Sequence, residues 1–373
     1  MADDINPEFD RVEGAPHPRD TATLYGQQLA ETTFLEAVNS GRLHHGWLIT
    51  GPRGVGKATL AWRIARFLLT QPPPGAGLFG APQHPISLDC PLGHPVLPRI
   101  AALSEPRLKL VRRDWDVENK KLDSVITVDR VRKLKEYFQL SAADGGKRVA
   151  IIDTADEMNP QAANALLKLL EEPPKDAFLL LISHQPSRLL PTIRSRCREL
   201  RCAMLGADDI ALALQQAGAA VTDPVALAEL SGGSVGEAIR LITLDGLATY
   251  GHLVALMASL PRLDRHRMLA LTDSASGKGN EARFDLIVRL TDILLARLAR
   301  TGLFAPPPEA ARGEAALLQR LSPDADAARR WAALQAQLGA RARTGKAVNL
   351  DPAALLLDMV LTIDQTAADL AAR

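Results

Sequence analysis

The stretch Trp47 to Ala65, WLITGPRGVGKATLAWRIA, constrains the chain more than any other. Trp47, Leu48 and Ile49 read as a short buried strand. The strand breaks into a loop carrying Gly51, Gly54 and Gly56, and Lys57 then opens a helical pattern with Leu60, Ile64 and Leu68 on one side. Strand, glycine loop, lysine and helix form the setting in which a phosphate-binding loop has physical meaning. Glycines let backbone N–H groups converge on an anion, the helix N-terminus adds partial positive charge, and the lysine supplies a mobile cation. A plain strand-to-helix turn without any ligand fits the same letters.

The position after the lysine departs from the motif. A Ser or Thr belongs there to hold magnesium, and this chain has Ala58. Thr59 lies one step along the helix, about 100° away, and substitutes poorly. The expectation is a nucleotide-type fold that does not hydrolyse ATP alone, with ATP, ADP, phosphate or no occupant all left open.

A second apolar run, Arg148 to Ile152, ends in Asp153, where open α/β sheets place ligands. A water-orienting carboxylate would follow it, but the next residue is Thr154. Asp156 and Glu157 read as cap or surface charges. Asn159 to Glu172 is a strong helix stopped by Pro173-Pro174, and Ala177 to Ser183 a further buried strand. Ser183-His184 at its end either senses a γ-phosphate or finishes the strand. Arg194, Arg196 and Arg198, with Arg201, form a dense basic cluster. A solvated rim and a guanidinium offered to another subunit's phosphates fit it equally.

With 373 residues the chain has room for two or three domains. A net charge of +1 argues against a molecule-wide grip on nucleic acid. Three irregularly spaced cysteines make no disulfide framework and suit a cytoplasmic setting. Residues 1 to about 22 are polar and read as mobile, and the acidic first twenty do not read as a signal peptide; no stretch reaches membrane-span length. Cys90, His94 and His84 are too few for zinc, so no metal is expected.

Remaining expectations concern helices. Gly26 to Asn39 is amphipathic, with Leu29, Thr33, Phe34 and Val38 inward. Another helix starts within Val125 to Leu134 and buries Val128, Val131, Leu134 and Phe138, after a charged connection DWDVENKKLDS. Residues 206–242 are small and helical, with Ser234 and Glu237 as a capping box. The last third is all helical (253–260, 263–272, 280–300, 313–320, 324–344 and 352–369), with Trp331 as packing.

Taken together, the loop near residue 51, the strand ending at Asp153, NALLKLLEEPP at 164–174, Ser183-His184 and Ser195-Arg196-Cys197 resemble the AAA+ clamp-loader ATPases. The resemblance covers most of residues 24–242 and extends more weakly to the C-terminal helices. It implies an α/β AAA+ P-loop domain with a parallel sheet (23–203), a small helical lid domain (204–245) and an all-helical C-terminal collar (246–373), after a flexible extension (1–22). Active family members keep a hydroxyl after the P-loop lysine, a glutamate after the strand aspartate, a sensor threonine and a second-sensor arginine. Ala58, Thr154, Ser183 or His184, and Gly236 stand at those places here.

The resemblance therefore implies a non-catalytic subunit of the DNA polymerase III clamp loader that supplies Arg196 in trans. Gly51, Gly54, Gly56, Lys57, Thr59 and Asp153 would form a degenerate nucleotide site, with vestigial ATP, ADP or phosphate binding and no required cofactor. Only Cys90 stands where relatives carry a four-cysteine module, so no zinc is implied. Implied partners are tau/gamma-type motor subunits and a delta-type subunit, with the sliding clamp and primer–template DNA reached through the complex. A self-sufficient AAA+ motor or regulatory ATPase and a stand-alone nucleic-acid binder are the alternatives.

Overall fold

The computed structural model describes residues 11–71, 84–91, 93–116, 118, 121–139, 146–275, 277 and 279–372. By composition QPPPGAGLFGAPQHP (71–85) reads as a loop and residues 141–147 as a turn; most of the first, 141–145 of the second and residues 1–10 of the flexible extension lie outside the described residues. The chain divides into two compact units, residues 1–205 with 234–236, and residues 206–233 with 237–373.

The first unit is built on a five-stranded, wholly parallel sheet. Its strands are β1 (Gly46–Thr50), β2 (Leu108–Val111), β5 (Arg148–Ile152), β6 (Ala177–Ser183) and β7 (Arg198–Arg201). Their spatial order is β2-β5-β6-β1-β7. The central strand β6, AFLLLIS, is buried at every residue, as a strand covered on both faces must be. Alternation sends Leu48, Ala150, Ile152, Leu179 and Leu181 into one core layer. Helices α4 (Val128–Gln139) and α5 (Pro160–Glu171) close that layer with Val131, Leu134, Phe138, Leu166 and Leu170. On the other face, Trp47 of β1 meets Phe34 of α1 (Gln28–Asn39) with ring centroids 4.9 Å apart, and Phe34 meets Phe67 of α2 (Lys57–Thr70). Helix α5 begins where the sequence says it should: the Asn159 side chain accepts the Ala162 N–H at 2.8 Å and Pro160 takes the first turn. A short helix α3 (Val96–Ala101) precedes β2, and α6 (Pro191–Arg194) leads into β7.

Three local expectations change. Leu29 is 79% exposed, and α1 instead buries Ala30, Phe34, Leu35 and Ala37. The inner face is therefore turned by about one residue, because Phe34 fills the space beside Trp47. The charged connection 114–124 contains a two-stranded antiparallel pair, β3 (Trp115–Asp116) with β4 (Lys121–Leu122). Residues 17–22, read as mobile, are tied to α2. His17 is buried edge-on to Trp62, Arg66 donates to the Arg19 and Thr21 carbonyls, and Arg63 donates to that of Ala22.

The second unit is helical among its described residues: α7 (Ala207–Gln216), α8 (Pro224–Ser231), most of α9 (Val235–Thr243), α10 (Gly246–Ala258), α11 (Arg265–Asp273), α12 (Glu281–Thr301), α13 (Glu314–Leu321), α14 (Ala325–Ala347) and α15 (Pro352–Ala371). Helices α12 and α14 pack along each other, and Trp331 of α14 is fully buried with its Nε1 donating to the Leu321 carbonyl at 2.8 Å. Glu237 pairs with Arg289 at 2.9 Å. Among the described residues no single helix is long and apolar enough to cross a membrane, although α9 and α10, bent by 78°, reach that composition jointly.

Candidate functional site

The P-loop leaves β1 at Thr50 and returns as α2 at Lys57. All three of its glycines have positive φ: Gly51 at 141°, Gly54 at 75° and Gly56 at 100°. Space enforces the same choice. A Cβ on Gly51 would lie 2.5 Å from the Cys202 carbonyl oxygen, and one on Gly54 would lie 2.0 Å from Ser234 Oγ. The loop is therefore wedged between the segment after β7 and residues 234–236, where Val235 N–H donates to the Gly54 carbonyl at 3.0 Å. Gly236 is close by: a Cβ there would meet Val12 at 3.1 Å and Gly54 Cα at 3.9 Å.

Lys57 is 3% exposed, and its ammonium donates to the Pro52 carbonyl of its own loop. Burial lowers its pKa to about 8, an effect opposed by the nearby carboxylates of Asp153 and Asp156. Asp153 stands one residue past β5 and is partly exposed; Thr154 follows it, with its hydroxyl 3.4 Å from Asp153 Oδ1. At the end of β6, Ser183 is fully buried and its hydroxyl has no hydrogen-bond partner among the described residues. His184 is the neighbour that feels the cations. Desolvation, then Lys57 and Arg53, push its pKa down to about 4, which keeps the ring neutral at physiological pH.

The structure corrects the reading of Asp156 and Glu157 as cap or surface charges. Asp156 Oδ1 accepts the His184 backbone N–H at 3.0 Å and so joins the turn after β5 to the end of β6. Glu157 bridges Arg53 of the P-loop at 3.3 Å and Arg113, beyond β2, at 2.7 Å. The residues present suit an anion held by backbone N–H groups and a lysine. They do not suit a magnesium-bound triphosphate undergoing hydrolysis, because Ala58 offers the metal no oxygen and Thr154 no carboxylate to orient water.

Arg196 lies elsewhere. It follows α6 and precedes β7, at the N-terminal edge of the sheet, whereas the P-loop lies at the C-terminal ends of the strands. Gly46, the first residue of β1, marks that edge: a Cβ on it would sit 3.3 Å from the Arg196 carbonyl oxygen. The side chain is 38% exposed, and its guanidinium pairs with Glu171 at 2.9 Å and donates to the Thr192 carbonyl at 3.1 Å. Arg198 beside it lies over the Trp47 ring, 5.4 Å from its centroid.

Residues 26–205 match the family model described as "DNA polymerase III, delta subunit". A DNA polymerase III subunit delta' from Pseudomonas aeruginosa is 42% identical over 203 residues, 53% of this chain and 55% of that protein. Over residues 26–205 the chain belongs to the DNA polymerase III delta-subunit family. The subunit delta' of Escherichia coli K12 is 32% identical over 240 residues, 64% of this chain and 66% of its own. The chain thus spans about half to two thirds of the length of these curated relatives. A solved gamma-subunit-related protein from Thermotoga maritima aligns over 90% of this chain and 99% of its own at 17% identity and a TM-score of 0.35, a likeness too distant to argue from.

In this family member Gly51, Gly54, Gly56, Lys57 and Asp153 converge on one end of the sheet, with Thr59 in the first turn of α2 and half-buried. Arg196 does not join them. Residues that the sequence did not single out brace the P-loop. Gln27, 2% exposed, donates to the carbonyls of Val55 and Ala203 and accepts the Ala203 N–H, each at 2.9 Å, which fastens the P-loop to the segment after β7. Cys202, whose thiol burial pushes up to about 12, backs Gly51. Such long-range clasps leave no local spacing signal. Among the described residues no group of three or more His, Cys, Asp or Glu is arranged to hold a metal ion.

Proposed function

We propose that this chain is a non-hydrolysing subunit of a DNA polymerase III clamp loader, and that it lends Arg196 to nucleotide held by a neighbouring motor subunit. The observation that carries this reading is the placement of Arg196. It is half-exposed at one edge of the sheet, while the chain's own phosphate-binding loop sits at the other. A guanidinium so placed is available to an adjoining subunit and remote from its own Lys57. Its planar fork suits the spread charge of a transferring phosphoryl group, which a lysine matches less well. The membership of residues 26–205 in the delta-subunit family, and the naming of its relatives as DNA polymerase III subunits, support the same setting.

In this reading residues 23–203 form the AAA+ domain, 204–245 a lid and 246–373 a collar that joins the other subunits. Tau/gamma-type subunits stand on the Arg196 side, and a delta-type subunit is reached through the C-terminal helices. The sliding clamp and primer–template DNA are handled by the assembly. Gly51, Gly54, Gly56 and Lys57 retain an anion site without turnover. The test is reconstitution with candidate loader subunits. Clamp loading and DNA-stimulated ATP hydrolysis should require this chain, while the purified chain alone should release no phosphate. Brisk turnover by the isolated chain would replace this reading with that of a self-sufficient ATPase.

A further inference from the structure

The Arg196 side chain does not stand out from the surface. Its Nη1 donates back to the Thr192 carbonyl, four residues earlier, at 3.1 Å, and its Nη2 meets Glu171 Oε1 at 2.9 Å. Glu171 is the last residue of α5, where the helix C-terminus carries partial negative charge that also favours a nearby cation. Both partners remain open to solvent, at 38% for Arg196 and 47% for Glu171. The pair is thus accessible and exchangeable rather than a buried structural link. Arg198, two residues on, has its guanidinium over Trp47 and cannot stand in for Arg196 without leaving that ring.

We infer that Glu171 restrains Arg196 in a folded-back state and makes its engagement conditional on a strongly anionic group across the interface. The inference rests on the trans role of Arg196 proposed above. A carboxylate carries a single charge and offers two oxygens, so it is displaced by the more highly charged terminal phosphate of a nucleoside triphosphate. Neutral or weakly charged surfaces do not displace it. Glu171 then sets a threshold: the arginine is released to a neighbour loaded with triphosphate and properly docked, and is held back from one that is not. In this role Glu171 is a positioning residue that acts through Arg196 and touches no reacting atom itself.

The experiment is steady-state ATP hydrolysis by the reconstituted complex, with and without clamp and primer–template DNA. It compares wild type with Glu171→Gln, Glu171→Asp, Arg196→Ala and the Glu171→Gln/Arg196→Ala pair. Glu171→Gln is expected to raise the unstimulated rate about two- to fivefold, the range an exposed ion pair supports, and so lower the ratio of stimulated to unstimulated hydrolysis. Glu171→Asp, which keeps the charge, should return that ratio toward wild type, and the rise should vanish in the double variant. An unstimulated rate that does not rise in Glu171→Gln, or rises equally without Arg196, overturns the restraint while leaving the trans role standing. A stimulated rate indifferent to Arg196→Ala overturns both.

Discussion

Lys57 and Arg196 stand at opposite ends of one strand. Arg196 packs its backbone against Gly46, the first residue of β1, and Lys57 follows the loop that leaves β1 after Thr50. A five-residue strand is roughly 13 Å from first to last Cα, and the loop adds to that. No rotamer of Arg196 brings its guanidinium to its own P-loop. Restoring the missing groups should therefore fail to create a motor. The isolated Ala58→Thr/Thr154→Glu variant is expected to release phosphate from ATP at no more than background, because the site still lacks an arginine from another chain. Phosphate release above background in that variant would show that the arginine is dispensable.

Burying Lys57 has a thermodynamic signature. Its folded pKa, about 8, lies below its ordinary value of 10.5. Between those pH values the unfolded chain holds the extra proton, so stability rises as pH climbs through that window. The cost of burying the ammonium is present in full below pH 8. Lys57→Met should therefore stabilise the chain by about 1–3 kcal/mol at neutral pH, with the gain shrinking toward pH 10.5. Urea unfolding of both proteins across that range measures the difference. The same substitution should abolish protection by inorganic phosphate or ATP.

His184 gives a slope on the acid side. With its folded pKa near 4 and an ordinary value of 6.5, the unfolded state takes up the proton first as pH falls. The histidine's contribution is therefore lost progressively between pH 6.5 and 4. His184→Gln should flatten stability across that window relative to wild type, a comparison readable from thermal or urea midpoints.

In the helical unit, Arg297 of α12 pairs with buried Glu314 at 2.6 Å and with Glu229 at 2.9 Å, and Tyr250 donates to the same Glu314. Glu314 is 0% exposed. Arg297→Ala strands that carboxylate and should cost about 3–5 kcal/mol, whereas the apolar pair Arg297→Met/Glu314→Met should recover most of the loss. Urea denaturation of the full chain, followed by the change in its C-terminal transition, distinguishes the two.

Much of this was legible in the letters, for a physical reason. Strand β6 and helix α5 carry continuous or periodic apolar runs with local stop signals, so Ala177–Ser183 and the helix read over 159–172 fall within a residue of where the pattern places them. The P-loop glycines are visible because backbone conformation is a local property. The exposure of Leu29 is not local: which face of α1 turns inward depends on Phe34 meeting Trp47, a contact between separate elements. Glu157 reads as a surface charge for the same reason, since its partners Arg53 and Arg113 are distant in sequence. The Gln27 clasp spans 176 residues and leaves no trace in spacing.

The most direct measurement is the stimulated ATPase of the complex assembled with Arg196→Ala in place of the wild-type chain. Trans-acting arginines contribute about 10³–10⁵-fold at the site they serve, so hydrolysis at the adjoining motor site should be all but lost while assembly and this chain's folding persist. An intact complex that hydrolyses ATP at the wild-type rate would contradict the account.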